Sequence, residues 1–417
     1  MNELSSLGLI LLMALLIGRL ARELKVPEVT GFILAGVAVG PSWLGWVNSD
    51  NLEALHVMSQ VALGMILFSV GSALDLSHFR RSGSQILTVA ATEAGLTGAL
   101  VGICMLAVGV PWPTAMLLGC ISMSTAPAAT MMVLREHDSR GPLTDAIVAV
   151  VALNKVVVLA AFSVVATVIT LANGIQGPQD AMAVIGQSSF ALVWELAGSL
   201  ALGYLVGLLL AGWGSTLTAH GEVQILLVGS VLFCIGASIA LELSPLISSM
   251  AVGVTVVNLS RTSQRLAVAL SRFDPPIYAV FFVIAGASID VGRLTSLGVV
   301  GGAYILARGL GKILGCRLGC GRSRLPPPVG TLLGVSLLSL ADLAVGLTVE
   351  VARRFPDLSD SVAPVVLAAV AVYETLGPLG TRFAILRSGE AVHGSQSAAT
   401  EHAAVTEAGA RALSSPQ

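Results

Sequence analysis

From Ala146 to Ala172 the chain carries a single charged residue, Lys155, inside an apolar run that reads AVVALNKVVVL at 149–159. Stretches of this kind, roughly 17 to 25 residues long, are what a helix needs to cross a bilayer. They recur along the whole chain with short polar breaks, and that recurrence limits the fold to an all-α polytopic membrane protein. Composition points the same way: 55% of the 417 residues are hydrophobic, 11% are charged and the mean hydropathy is +0.88. A soluble domain carries about a quarter charged residues.

About thirteen spans are expected, at 4–22, 29–47, 54–74, 85–108, 114–134, 143–172, 187–212, 222–241, 245–260, 275–289, 296–316, 329–351 and 361–386. The first, Leu4 to Leu20, is too long for a signal-peptide core, and Arg19, Arg22 and Lys25 follow it with no small-residue cleavage site, so a retained helix is predicted. Counting every span puts Arg19/Arg22/Lys25, Arg80/Arg81, Arg135/Arg140, Arg261/Arg265/Arg272, Arg317/Arg322/Arg324 and Arg382/Arg387 on one side. The other side holds mainly Asn48, Asp50, Asp180, Asp290 and Arg293, with Arg353 and Arg354 as the exception. Lys and Arg collect on the cytoplasmic side. The amino terminus is therefore expected outside and the carboxyl terminus in the cytoplasm, in a cell membrane of the bacterial inner-membrane type.

Residues 1–387 form the expected transmembrane domain, and 388–417 read as a disordered cytoplasmic tail, small, polar and poor in large apolar side chains. That leaves no room for a soluble nucleotide-binding module. The net charge of −2, with no basic cluster, gives no sign of nucleic acid as a partner. The five cysteines fall in or at the ends of the spans. Cys316 and Cys320 share a helical face, but two thiols without histidine or carboxylate neighbours make a weak metal site. Packing is the reading for all five, with no metal and no cofactor expected. Nothing resembles a catalytic triad, a phosphate loop or a haem site, so an enzyme is not expected.

Two spans are poor straight helices. The fifth, MLLGCISMSTAPAATMMVL, sets Ser122, Ser124, Thr125 and Pro127 at mid-depth, and the twelfth, LLGVSLLSLADLAVGLTVEV, sets Gly334, Ser336, Ser339 and Asp342 there. Proline removes a backbone donor, and small hydroxyl residues accommodate an opened turn. Interrupted helices in corresponding positions of two halves are the best pointer in a sequence to a transporter site at the membrane midplane. The plainer alternative is a proline kink at Pro127.

The order of these pieces resembles the monovalent cation:proton antiporter superfamily, in its Kef-like and bacterial sodium/proton exchanger branches. The residues that carry the likeness are LKVPEVTGFILAGVAVGPSWLG (24–45), FSVGSALDL (68–76), STAPAATMMVLREHDSRGPLTDAIVAVVAL (124–153), LELSPLISSMAVGVTVVNLS (241–260), DPPIYAVFFVIAGASID (274–290), ILARGLGKILGCRLG (305–319) and YETLGP (373–378). The resemblance implies inverted repeats in two bundles and a homodimer. It also implies broken fifth and twelfth spans crossing beside an ion site on the sixth, with monovalent cations and protons as partners in exchange.

In that family the ion site ends on a carboxylate; here the pattern falls on Asn154-Lys155. A carboxylate holds a cation when ionised and a proton when neutral, whereas an ammonium cannot ligate a metal ion. A lone ammonium at a helix centre also costs about 2.5 to 3.5 kcal/mol on insertion scales, so Lys155 calls for a partner or a pathway. One reading pairs Lys155 with Asp342 as a relocated acid–base site; in the other, Asp342 merely neutralises Lys155. Arg308 and Lys312 share a face of the eleventh span, where the family keeps a basic residue that pairs with core acids, and Glu93 and Glu374 are expected to balance them. Lys312 has the alternative of snorkelling to the inner face. Ser122, Ser124, Thr125 and Ser339 line the breaks as ion ligands or simply as packing residues. The expected function is exchange of potassium or sodium for protons by alternating access. The alternatives are a non-transporting or sensory relative that has lost its ion-binding acid, and movement of an anion or another solute.

Overall fold

The computed structural model describes residues 3–74, 76–172, 178–217, 220–260, 274–289, 292, 298–323 and 327–391, and among them there is no strand. Ten helices lie in order before residue 260: α1 (Glu3–Glu23), α2 (Glu28–Val39), α3 (Ser49–Ser72), α4 (Leu76–Ala107), α5 (Trp112–Ser122), α6 (Pro127–Glu136), α7 (Pro142–Ala172), α8 (Pro178–Gly214), α9 (His220–Ala240) and α10 (Pro245–Leu259). Five follow: α11 (Asp274–Ala287), α12 (Gly298–Arg322), α13 (Pro327–Ser336), α14 (Asp342–Arg354) and α15 (Pro356–Ser388). The expected segments overlap helices, with two half-helices at the fifth and twelfth, while the expected 29–47 is helical only to Val39. Among the described residues eight spans, one of them α5 and α6 together, are long and apolar enough to cross a membrane, and 28–39, 57–72, 245–259 and 275–287 are shorter apolar helices.

The polarity is distributed as a bilayer requires. Leu12, Leu15, Leu16, Phe190, Leu209 and Phe233 stand exposed on helix surfaces, while Glu93, Asn154, Lys155, Arg308, Lys312 and Glu374 are buried. One bundle packs α1, α2 and α3 with α10 and α11, and α8 and α9 lean on α10. The other packs α4, α5 and α7 with α12, α13 and α15. At one end Arg22 pairs with Glu28 at 2.6 Å, the Glu28 amide donates to Glu136, and Arg382 meets His137 and the Lys25 carbonyl. Those basic ends of α1, α6 and α15 are therefore on one side of the molecule. Arg80, Arg81, Arg261, Arg265, Arg272, Asp290, Arg293 and Arg324 have side chains outside the described residues.

Proline marks many of the helix starts, although Pro364 and Pro378 lie inside α15. Six helices, α6 among them, open on it, where its missing N–H would have had no intrahelical partner anyway. Pro127 thus begins a new helix after a real interruption, which overturns the kink reading. At the other end of the chain α15 runs through Ser388, and Glu390 lies against the start of α7. Residues 388–391 are thus described along with α15, and residues 392–417 lie outside the described residues.

Candidate functional site

A helix that stops in the middle of a membrane strands its last carbonyls, and each unsatisfied polar group there costs several kcal/mol. Breaks at 123–126 and 337–341 strand two sets. Arg308 on α12 serves both. Its Nε donates to the Ser122 carbonyl at 3.1 Å and Nη2 to that of Ser124 at 2.7 Å, while Nη1 donates to the Leu338 carbonyl at 2.7 Å and Nη2 also to that of Ser339 at 3.3 Å. The planar five-donor fork of a guanidinium suits such a task. Tyr373 stacks its ring 4.3 Å from the guanidinium carbon. Arg308 thus staples the crossing through carbonyls rather than by pairing with an acid.

The breaks also hold each other directly. The Ala126 amide donates to the Ser339 carbonyl at 3.0 Å, and the Thr125 and Thr130 hydroxyls reach the Leu337 and Ser336 carbonyls, each at 3.5 Å. The hydroxyls of Ser122 and Ser124 turn back onto Gly119 and Ile121 of their own helix. Their protons are used locally, and their oxygens keep lone pairs at the break. The Ser339 hydroxyl is buried without a hydrogen-bond partner.

Asn154 and Lys312 complete the first break. Asn154 Oδ1 accepts the Thr125 amide at 3.0 Å, and its Nδ2 donates to the Met123 carbonyl at 2.9 Å and to Glu93 Oε2 at 3.3 Å. Lys312 Nζ lies 2.5 Å from Glu93 Oε1, 2.6 Å from the Met123 carbonyl and 2.7 Å from Thr125 Oγ1. Both charged side chains of this pair are wholly buried, so the snorkelling alternative for Lys312 is overturned. The sequence makes the pairing through Gly315: a Cβ there would sit 2.7 Å from the Cα of Glu93, so only glycine lets α12 and α4 come close enough.

Lys155 is buried on α7, one residue beyond Asn154. Asp342 opens α14 at the end of the second break; its side chain lies outside the described residues, and with it the pairing expected between Lys155 and Asp342. Glu374 is 2% exposed on α15 and lines a cavity. Among the described residues no group of three or more His, Cys, Asp or Glu is placed to hold a metal ion.

The structure therefore gathers Glu93, Asn154, Arg308, Lys312 and Thr125 at one crossing. The carbonyls of Met123, Ser122 and Leu338 were not foreseen, because an acceptor carbonyl leaves no mark in a sequence. Tyr373 was within reach of sequence reasoning, standing next to Glu374 in YETLGP.

The sequence matches the family described as "Sodium/hydrogen exchanger, transmembrane" over residues 8–386. It is 25% identical over 290 residues to the ammonium/H(+) antiporter subunit AmhT of Alkalihalophilus pseudofirmus, covering 69% of this chain and 71% of that one. It is 33% identical over 139 residues to the iron transporter MagA of Paramagnetospirillum magneticum, spanning 33% of this chain and 31% of that one. Its fold matches the sodium proton antiporter MjNhaP1 of Methanocaldococcus jannaschii at pH 8 with a TM-score of 0.69 and 16% identity, over 92% of this chain and 95% of that one. An electron-microscopy structure of the same antiporter gives 0.70 and 17%, over 92% and 94%.

Proposed function

Because the chain belongs to the sodium/hydrogen exchanger transmembrane family, we propose that it exchanges a monovalent cation, potassium or sodium, for protons by alternating access. The family and the fold are those of sodium/proton antiporter-type, multi-pass membrane transporters. The finer reading adds about thirteen spans, a homodimer in the cell membrane, the amino terminus outside and the carboxyl terminus in the cytoplasm. The name of one relative adds ammonium to the candidate cargoes.

The observation that carries this reading is the ammonium of Lys312, which sits among three oxygens, one each from Glu93, Met123 and Thr125. That oxygen set is hard and partly anionic, the kind that ligates a small cation. A second positive charge cannot enter while Lys312 stays protonated in place, since two like charges a few ångströms apart in a buried site repel strongly. Entry of the cation therefore expels the ammonium or its proton, and rebinding of the proton expels the cation. Competition for one set of oxygens is the coupling. Asn154 holds the Met123 carbonyl and Glu93 in register, and we assign Lys155 and Asp342 the role of a second acid–base pair.

Lys155 favours one other reading. It stands where the family places an acid, and a base there suits a relative that keeps the fold without moving an ion. Proteoliposomes with an internal pH dye separate the two. Sodium, potassium or lithium is expected to collapse an imposed pH gradient with the parent protein and not with Glu93→Gln. A silent parent together with an active Lys155→Asp would establish the non-transporting reading. A parent-like Asp342→Asn would remove Asp342 from the exchange.

A further inference from the structure

The two bundles meet differently at the two ends of the molecule. On the side that carries the basic ends of α1, α6 and α15, α2 packs against both α6 and α15. Towards the opposite side a cavity of about 710 Å³ separates α3, α9, α10 and α11 from α14 and α15. On α15 the cavity is lined between Leu367 and Glu374, and Arg382 lies about two turns further towards the basic side. On α11 it is lined by Ile284 and, just past the helix, by Ser288. That end of α11 lies against Gly40, where a Cβ would sit 2.8 Å from the Cα of Ala287, and Gly40 follows the end of α2 remote from Glu28.

Polar contacts fasten the basic side across the bundles. Pro27, the residue before α2, has no side chain that can cap the helix, and the cap comes from elsewhere: Glu136, the last residue of α6, accepts the Glu28 amide at 3.1 Å. Glu28 in turn pairs with Arg22 of α1 at 2.6 Å. Arg382 of α15 donates to the Lys25 carbonyl in the α1–α2 turn, where Lys25 stands at φ 57°, a left-handed conformation uncommon for a residue with a side chain. The Arg382–His137 contact does not cross between the bundles, because α6 packs mainly on α15. Since α6 is the second half of the broken fifth span, Glu136 stands at the far end of a short rod whose near end is the break at 123–126.

Resting on the exchange reading above, an ion held at the first break must reach each side in turn. We infer that Glu136 and Arg382, closing on the α1–α2 turn, form a latch that shuts the basic side and has to part before the ion can leave there. The contacts are partly exposed and individually weak, which suits a gate that opens in every cycle.

The test is hydrogen exchange read by mass spectrometry on the full chain in lipid nanodiscs, beside sodium/proton exchange in proteoliposomes. Glu136→Ala and Glu28→Pro each remove the hydrogen bond between the bundles. Proline suits the first position of a helix, and Pro27 at ψ 138° already has the extended backbone that a following proline requires. Glu28→Pro therefore decides the matter if Glu136→Ala fails to fold. In either variant the amides of the α1–α2 turn and of 123–126 are expected to exchange about two- to fivefold faster. Those of 343–349 beside the cavity are expected to slow, since opening one side closes the other. The maximum rate of sodium exchange is expected to fall by a similar factor. Arg19→Ala, which breaks only the Arg19–Glu23 pair within α1, should leave all three readings unchanged.

Faster exchange in the turn alone, with the break and 343–349 unmoved, would make the cluster a local surface contact and overturn the latch. Faster exchange at both ends would overturn it too, as general loosening. A parent that exchanges sodium while its variants show no opposed change would sink the latch alone. Opposed changes in a chain that exchanges no cation would sink the exchange reading alone.

Discussion

The two broken helices meet at one crossing but are served unequally. At the first break, side chains from two other helices reach the opened backbone, Asn154 of α7 and Arg308 and Lys312 of α12, and Glu93 of α4 backs Asn154 and Lys312. At the second, among the described side chains, Arg308 reaches Leu338 and Ser339, and threonine hydroxyls reach Ser336 and Leu337. Among the described side chains, the first break therefore gathers the Glu93–Lys312 ion pair, while the second meets Arg308 and threonine hydroxyls and ends beside a mostly apolar cavity. Symmetric interruption of the backbone does not bring symmetric chemistry. The difference is set by which residues α4, α7 and α12 aim inwards.

The sharpest way to break this comparison is to remove the one side chain common to both breaks. Arg308→Met strands the carbonyls of Ser122, Ser124 and Leu338 and is expected to cost about 3 to 5 kcal/mol, the range for breaking a buried charged contact. Its signature is loss of the monodisperse peak in detergent. Arg308→Lys should recover only part, because a single ammonium cannot span both breaks as a fork does. If Arg308→Met melted like the parent, the staple would be an accident of packing.

Asn154→Leu acts on the first break alone and leaves the Thr125 amide without its acceptor, at an expected cost of about 1 to 3 kcal/mol in the melting free energy. Asn154→Asp keeps the acceptor for Thr125 but sets a second carboxylate beside Glu93, and it should recover less than half of that loss. Equal losses in Asn154→Leu and in Ser339→Ala would erase the asymmetry between the breaks.

These side chains also show how far the sequence could be read. The breaks themselves were legible from Pro127 and the small hydroxyl residues around it, and from the matching run at Ser336 and Ser339. The core acids and bases were legible because charge in an apolar run is costly and therefore stands out. Which charge meets which was not legible. Glu93 and Lys312 find each other through the close approach at Gly315, and side-chain depth along two facing helices is a tertiary property. Arg308 looked like a partner for an acid and is instead a donor to peptide carbonyls, which carry no sequence signature. The Glu390 contact is illegible for a related reason, since composition around 388–391 says nothing of a helix start waiting for a carboxylate.

That contact gives a smaller effect. Glu390 accepts the Leu143 and Thr144 amides at 2.8 Å each and the Thr144 hydroxyl at 2.7 Å, capping the positive end of α7, which carries Asn154. Glu390→Gln keeps the shape and removes the charge, and should cost about 0.3 to 1 kcal/mol, seen as a small drop in melting temperature. A drop as large as that of Asn154→Leu would mean that α7 is held from its end rather than at the break.

The smallest effect lies away from both breaks. Burial first, and then the nearby Arg382, hold the His137 imidazole below its ordinary value of 6.5. The unfolded chain then takes up a proton before the folded one does. Stability from this group is full above pH 6.5 and declines as the pH falls from there towards the lowered folded value. His137→Gln should remove that shallow decline from a series of melts at falling pH, and it should leave cation exchange at the first break unchanged.

The central claim is that a cation and the ammonium of Lys312 compete for the oxygens of Glu93, Met123 and Thr125. It is tested most directly by counting protons released when sodium or potassium is added to the protein in weakly buffered nanodiscs with no gradient, using a soluble pH dye. The account predicts about one proton released for each cation bound, and neither release nor saturable cation binding in Glu93→Gln. Saturable cation binding without proton release, or undiminished release in Glu93→Gln, would contradict it.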